Sequence, residues 1–223
     1  MEMGTAVTMR STSRICSIAV LALATLTACT GNSAATTARF EVGLKFSNLA
    51  EPANPVPVFK GVGDFATGEF SYIMSFGTER EVLEFGSSTR YQRDVGEEQW
   101  TREKDPNTPE KPTTSLRNHL AATSNSLEYL TSVADPVTEV GTETVRGVTT
   151  THYRASVNLA RVTPSPDDER LLLEVEVWVD DDGRTRRYSY SPLASPQEIY
   201  VWEFFDFGIP VDLEHPSPDE VRA

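Results

Sequence analysis

The stretch Phe40-Glu41-Val42-Gly43-Leu44-Lys45-Phe46 alternates apolar residues with charged residues or glycine. Successive side chains of a β-strand point to opposite faces, so this period of two predicts a strand with one buried face. The same pattern returns in residues 69–76, where Phe70, Tyr72 and Met74 share one face. The two stretches together predict a sheet with one apolar face.

Similar short apolar runs, separated by turn residues, continue toward the end of the chain. Two proline-rich stretches, Glu51–Pro57 and Asp105–Thr114, predict loops because proline cannot donate to a central strand. The acidic segment Asp180–Gly183 predicts a hairpin turn, since it lacks the ligand spacing and flanking helices of a calcium-binding EF-hand. The further predicted strands are Arg80–Phe85, Thr89–Asp94, Gln99–Arg102, Thr138–Val145, Thr149–Leu159, Leu171–Val179, Arg184–Ser191 and Ile199–Phe207.

One segment has the helical period instead. Ser115 is available as its N-cap, the pattern ends before Asp135-Pro136, and Arg117 belongs to its polar side. Many strands, short turns and one internal helix predict an α+β fold, mainly β, with one antiparallel sheet partly covered by one main helix. The apolar residues that recur at helical spacing are Leu116, Leu120, Leu127, Leu130 and Ala134.

The N-terminal region predicts export. Arg10 and Arg14 precede an apolar run, Ile15–Thr27, that is shorter than the roughly 20 residues a membrane-spanning helix needs. A basic start followed by a short apolar run is typical of a secretory signal peptide. We therefore expect residues 1–28 to be a signal peptide.

The end of the apolar run predicts lipid attachment. Leu26-Thr27-Ala28-Cys29 resembles the lipobox of bacterial lipoproteins, in which the cysteine receives a diacylglyceryl group before cleavage in front of it. Two acyl chains hold a protein at a membrane stably, whereas one chain binds only marginally. We expect Cys29 to be acylated and residues 29–38 to form the tether. An ordinary signal followed by a chance cysteine is the alternative.

Charge and cysteine content exclude several classes of function. The formal net charge is −13, and it becomes −14 once residues 1–28 are removed with Arg10, Arg14 and Glu2. A domain this acidic repels nucleic acids and anionic lipid headgroups, so we do not expect it to bind either through a basic surface patch. Because Cys16 leaves with the signal peptide and Cys29 is acylated, neither a disulfide nor a thiolate site is expected.

No motif predicts catalysis, a metal site or a cofactor. The chain lacks a G-x-S-x-G elbow, an H-E-x-x-H motif and a glycine-rich phosphate loop. His119, His152 and His215 are far apart in sequence, and His152 has Arg154 and Ser156 as neighbours on its strand face. We therefore interpret His152 as a solvated surface residue. Glutamates that alternate with apolar residues, such as Glu81, are interpreted as the wet face of the sheet.

The abundance of large apolar side chains on strands has two interpretations. A single helix cannot cover an apolar sheet face of this extent, so the surplus either fills a solid core or encloses an apolar space for a lipid tail. The second interpretation gives a set of candidate ligand-binding residues, six from the sheet and two from the helix. They are Phe40, Val42, Leu44, Phe70, Tyr72, Met74, Leu120 and Leu127.

The order of several short motifs resembles the actinobacterial lipoproteins of the LppX/LprG group, which share the fold of the lipoprotein carrier LolA. The motifs are the lipobox ending at Cys29, Gly63-Asp64-Phe65, Tyr91-Gln92-Arg93 followed by Trp100, Gly141-x-Glu143-x-Val145-x-Gly147 leading to Thr151-His152-Tyr153, Val177-Trp178-Val179-Asp180 with Gly183-Arg184, and Phe205-Asp206-Phe207-Gly208-x-Pro210-Val211. This resemblance implies a curved antiparallel half-barrel, with the main helix on its concave face, whose hollow holds acyl chains. It also implies a binder or carrier without catalytic residues.

Together these observations predict a lipid-anchored lipoprotein on the extracytoplasmic face of the cell membrane. Residues 39–213 are expected to form the LolA-like domain, which binds or carries a lipid or other amphiphile without catalysis. Residues 214–223 are expected to form a loosely held tail. The alternative function is an envelope interaction module that regulates a membrane protein such as a sensor kinase through its acidic outer surface.

Overall fold

The computed structural model describes residues 35–47, 55–86, 89–103, 117–121, 125–162, 172–192 and 195–222. The predicted signal peptide, Cys29, Ser115 and Leu116 lie outside these ranges. Their roles, like the predicted domain boundaries, stay predictions.

Eleven strands form one curved antiparallel sheet in the order β6-β5-β4-β3-β2-β1-β11-β10-β9-β8-β7. The strands are β1 (Thr37–Phe46), β2 (Val56–Asp64), β3 (Glu69–Phe76), β4 (Thr78–Phe85), β5 (Thr89–Asp94), β6 (Thr101–Glu103), β7 (Ala134–Val145), β8 (Val148–Asn158), β9 (Leu172–Asp180), β10 (Thr185–Tyr190) and β11 (Glu198–Phe205). The predicted fold class, mainly β with a single antiparallel sheet, is confirmed.

The alternation in β1 sets the two faces of the sheet. Phe40 lies opposite Phe204 on β11 and opposite Gly61 on β2, and all three positions belong to one face, which we call the inner face. The inner face carries the hydrophobic core, in which Phe40 is 3% exposed and Phe204 is 1% exposed. The opposite face, which we call the outer face, carries Glu41 and most of the ion pairs.

Strand β2 was not among the predicted strands, and its glycines explain why. Glycine has a low strand propensity, so Gly61 and Gly63 interrupt the alternation of apolar residues that would predict a strand. Both are required by packing. A Cβ atom on Gly61 would lie 2.2 Å from the carbonyl oxygen of Ser71, and one on Gly63 would lie 2.1 Å from a ring carbon of Phe70. The large side chains of β3 therefore lie over a strip of β2 that has no side chains.

The predicted single helix differs from the structure. Residues 117–121 are helical, and helix α1 (Ser126–Val133) begins separately after Asn125, whose side chain accepts a hydrogen bond from the backbone of Glu128. Asparagine is a strong N-cap, so it starts a new helix here. Placing Ala134 in the helix was wrong, because Ala134 begins β7. A short helix, α2 (Leu159–Val162), follows β8.

The C-terminal segment, predicted to be loosely held, lies against the outer face. The ring of His215 stacks on Phe85 with centroids 3.8 Å apart, because Phe85 and Tyr91 present aromatic surface there. Val221 forms a parallel bridge with Trp100, after a 3₁₀ turn at Pro218–Glu220. Two backbone hydrogen bonds, from Trp100 N–H to the Glu220 carbonyl and from Arg222 N–H to the Trp100 carbonyl, thus tie the tail to the residue before β6.

Candidate functional site

The inner face is mainly apolar, but it is not uniformly buried. At the end where β1, β3 and β10 finish and β2 and β11 begin, its apolar side chains are half-buried, and Phe76 is 50% exposed. The half-exposed aromatic residues still contact one another, as with the rings of Phe59 and Phe76 at 5.4 Å. We call this region the open end. Its residues are Leu44, Phe59, Phe76, Tyr190 and Tyr200.

The structure places most of the predicted ligand-binding residues on the inner face, although their exposure varies. Phe40, Val42, Phe70 and Leu120 are buried in the core, Leu44 and Tyr72 are half-buried against it, and Met74 and Leu127 are half-buried. Leu127 is the outlier, because α1 buries Ser126, Leu130 and Val133 instead. The register brings Phe40, Gly61 and Tyr72 side by side across three strands.

Aromatic rings form the wall between the buried core and the open end. The ring of Phe40 lies 5.6 Å from Trp202, 6.1 Å from Tyr72 and 6.1 Å from Phe70. Edge-to-face and offset contacts at these distances stabilise aromatic pairs. Phe40 is therefore the centre of the wall, and its role as a ligand-lining residue stays a prediction.

The inner face also carries polar groups. The hydroxyl of Tyr72 donates to Glu84 Oε1 at 2.7 Å, and Arg90 lies 3.7 Å from the same oxygen. Burial raises the pKa of Tyr72 and of the fully buried Tyr188, so both stay protonated near neutral pH. Neutral hydroxyl groups are thus available as hydrogen-bonding groups within an apolar face.

Arg117, predicted to lie on the polar side of the helix, instead contacts aromatic rings of the inner face. Its guanidinium lies 4.7 Å above the ring of Trp202 and 5.2 Å from that of Phe70. Arginine stacks well on aromatic faces, which explains how a cation is accommodated there. The spacing offered a signal: Arg117 precedes the buried Leu120 by three residues, and positions three apart share a helix face.

A groove of about 700 Å³ lies on the outer face, opposite the core. Its apolar floor is flanked by charged side chains that are already paired in part, as with Arg93 and Glu81 at 2.6 Å. A groove of this size can hold a small molecule or a short peptide segment. The outer-face side chains that line it include Arg39, Lys60, Val62, Ile73, Glu81, Leu83, Arg93, Trp100 and Phe205.

Beside the groove, an ion-pair network joins strands that are distant in sequence. Arg146, at the turn between β7 and β8, donates to Glu203 Oε2 at 2.7 Å and also pairs with Glu41. Glu203 accepts two further hydrogen bonds from Arg187, at 3.0 and 2.6 Å. The network therefore holds the β7–β8 turn against β11 and β1.

The interpretation of His152 as solvated was wrong. Its side chain is buried because its ring stacks on Trp178, with centroids 4.1 Å apart, and its Nδ1 atom lies 2.9 Å from Glu143 Oε1. The indole of Trp178 donates to the other oxygen of Glu143 at 3.0 Å. These hydrogen bonds, that of Trp178 first, hold the pKa of Glu143 below its usual value. Among the described residues, no Ser or Thr hydroxyl bonds His152.

The predicted turn at Asp180–Gly183 is confirmed as a hairpin. Asp180 Oδ1 accepts from the backbone N–H groups of Asp182 and Arg184, while Oδ2 lies 2.6 Å from Arg186 Nε. The carboxylate is thus occupied by the turn and by arginine. Over the part of the chain that the structure covers, no group of His, Cys, Asp and Glu is arranged to hold a metal ion. In that same part, no helix has the length and apolarity to span a membrane.

Comparison of sequences found no matching family model and no matching curated protein. Comparison of structures gave alignments with several solved proteins. LprF from Mycobacterium bovis aligns with a TM-score of 0.51 at 14% identity, over 83% of this chain and 91% of LprF. The lipoprotein LppX from Mycobacterium tuberculosis aligns at 0.37 with 10% identity, over 80% and 90%. A LolA superfamily protein from Nitrosomonas europaea aligns at 0.30 with 10% identity, over 82% and 89%.

The similarity to LprF shows the fold of the chain and nothing of its ligand. The chain has the fold of LprF, a curved antiparallel sheet of the kind that the sequence motifs predicted.

Proposed function

We propose that this LolA-like domain binds a lipid or other amphiphile on its inner face, as an extracytoplasmic lipoprotein that carries out no catalysis. The observation that supports this most directly is the open end, where aromatic and aliphatic side chains of the inner face stay half-exposed beside a buried core. Contiguous exposed apolar surface is costly in a soluble domain and typically marks a binding site. An acyl chain laid along the open end would cover it.

The open end predicts a specific loss of lipid binding. Phe76→Asp places a charge at the β3 side of this surface, so we expect uptake of a fluorescent fatty acid to fall at least about tenfold, and co-purified lipid in native mass spectra to be lost. The matched control is Leu172→Asp, since Leu172 is 53% exposed but belongs to the outer face. Equal losses in both variants, or no lipid in the wild-type protein, would contradict the proposal.

Attachment to the membrane is proposed to depend on Cys29. In Cys29→Ser the acceptor of the diacylglyceryl group is lost, so we expect the protein to move from the membrane fraction to the soluble fraction and the mass of two or more acyl chains to disappear. The control is Cys16→Ser, whose cysteine belongs to the proposed signal peptide and whose product should be acylated normally. Unchanged membrane association of the Cys29 variant would exclude this anchor.

The outer groove favours a second candidate function, an envelope interaction module. Its apolar floor and charged rim match the composition of protein-binding surfaces better than that of an acyl-chain site. The lipid experiment separates the two functions. An interaction module would retain no amphiphile in the wild-type protein and would be unaffected by Phe76→Asp.

A further inference from the structure

Two neighbouring polar groups on the inner face have unmet hydrogen-bonding capacity. Tyr188 on β10 lies directly opposite Trp202 on β11. The hydroxyl of Tyr188 and the indole nitrogen of Trp202 are both buried, and neither has a hydrogen-bond partner among the described residues. Buried polar groups are satisfied in the great majority of folded proteins. Two exceptions side by side therefore mark a functional position.

The chemistry of these two groups indicates which kind of ligand group they would bind. An indole N–H can only donate, so Trp202 requires an acceptor, and the Tyr188 hydroxyl can donate to the same acceptor. The guanidinium of Arg117 lies 4.7 Å above the Trp202 ring and adds a positive charge at this position. Two donors beside a guanidinium suit an anionic group with several oxygens, because charge-assisted hydrogen bonds are the strongest that such a group forms.

The position of these groups along the strands indicates how an amphiphile would lie. Tyr188 and Trp202 are each two residues further into the sheet than Tyr190 and Tyr200, which belong to the open end. Two residues of a strand span about 7 Å. A headgroup at Trp202 would thus lie one layer inside the open end, and its chain would leave along Leu44.

We infer that the inner face selects amphiphiles with an anionic headgroup, a carboxylate or a phosphate, and binds them with the headgroup inward against Tyr188, Trp202 and Arg117. This inference rests on the proposed function and adds the class of ligand and its orientation. It does not involve the outer groove.

The test uses the Cys29→Ser protein after removal of bound lipid and compares ligands with the same chain. Palmitate and hexadecyl phosphate should displace a fluorescent fatty acid at concentrations at least about tenfold lower than 1-hexadecanol requires. Comparing the affinity for palmitate with that for hexadecyl phosphate shows whether the site prefers a carboxylate or a phosphate. Acetate and inorganic phosphate, which lack a chain, should not compete.

Single substitutions identify which side chains select the anionic headgroup. Trp202→Phe removes the indole N–H, Tyr188→Phe removes the hydroxyl, and Arg117→Gln removes the charge. Each should lower the affinity for palmitate severalfold more than the affinity for hexadecanol. Trp178→Phe is the control, because its indole already donates to Glu143 on the outer face and its loss should not change the preference.

Tyr188→Phe also has a readout that does not depend on a ligand. Because the hydroxyl has no described partner, removing it should leave the melting temperature of the lipid-free protein unchanged or raise it. A clear fall would show a structural role and overturn the inference.

The outcomes separate the inference from the proposed function. Equal affinity for palmitate and hexadecanol would overturn the headgroup selection and leave lipid binding intact. Binding of neither would overturn both.

Discussion

Replacement of Phe204 by alanine is expected to lower the free energy of unfolding by about 3–5 kcal/mol. Phe204 is 1% exposed and lies at the centre of the sheet, opposite Phe40 on β1 and 5.4 Å from the ring of Phe65. Removing its ring deletes a large buried apolar surface and leaves a cavity that the neighbouring strands cannot close. Urea denaturation followed by circular dichroism measures the change.

The next residue along the same strand is the control. Phe205 points to the outer face, where it is half-buried in the groove and lies under the guanidinium of Arg146 at 4.1 Å. Phe205→Ala should cost less than about 2 kcal/mol, because only part of its surface is buried and one cation–π contact is lost. A larger loss for Phe205 than for Phe204 would mean that the inner and outer faces are assigned wrongly.

Glu203→Gln is expected to lower the free energy of unfolding by about 1.5–3 kcal/mol at pH 7. The carboxylate of Glu203 is 20% exposed and accepts hydrogen bonds from Arg187 and Arg146. Glutamine keeps the shape but loses the charge, so two partly buried guanidinium groups lose their common counter-ion. The matched control is Glu41→Gln. Glu41 pairs with Arg146 but is 44% exposed, so its loss should cost under about 1 kcal/mol.

The same residue predicts a pH dependence. Burial raises the pKa of Glu203, but the hydrogen bonds from Arg187 and Arg146 outweigh it and place the pKa below its usual value. A carboxyl whose pKa is lower in the folded state stabilises the fold above its unfolded pKa of about 4.3, and this stabilisation is lost as the pH falls through the folded pKa. The difference between wild type and Glu203→Gln should therefore shrink below about pH 4. A constant difference down to pH 3 would contradict an ionic role.

The alternation is clearest in β1 and β3. In these two strands every second residue points to the inner face, and from Phe40 and Phe70 onward these residues are large and apolar. The period of the sequence therefore predicts which side chains are on the inner face. Strand β2 was missed because its inner-face positions include two glycines. These positions must be glycine because residues of β3 lie where a Cβ atom would be, and nothing in β2 itself indicates this. A sequence shows what each strand contributes, but not where a neighbour requires an empty position.

The candidate site was predictable to the same degree. Phe40 and Tyr72 follow from the alternation, and the structure confirms that they share one face. The roles of Arg117 and His152 did not follow, because each depends on a ring from a distant strand. Arg117 lies above Trp202, and His152 stacks on Trp178. Polar residues that are buried by contact with aromatic rings look like surface residues when only their sequence neighbours are considered.

The pairing of β1 with β11 has a consequence for when the domain can fold. These strands, the first and the last of the sheet in the chain, are neighbours near its middle, from Arg39 opposite Phe205 to Phe46 opposite Glu198. Contacts that join residues so far apart in sequence slow folding, because a long loop must close before the pairing is formed. The central ladder cannot assemble until β11 has emerged from the ribosome or the translocation channel. Until synthesis of β11 is finished, β1 has an unpaired edge that is exposed to aggregation or to chaperones.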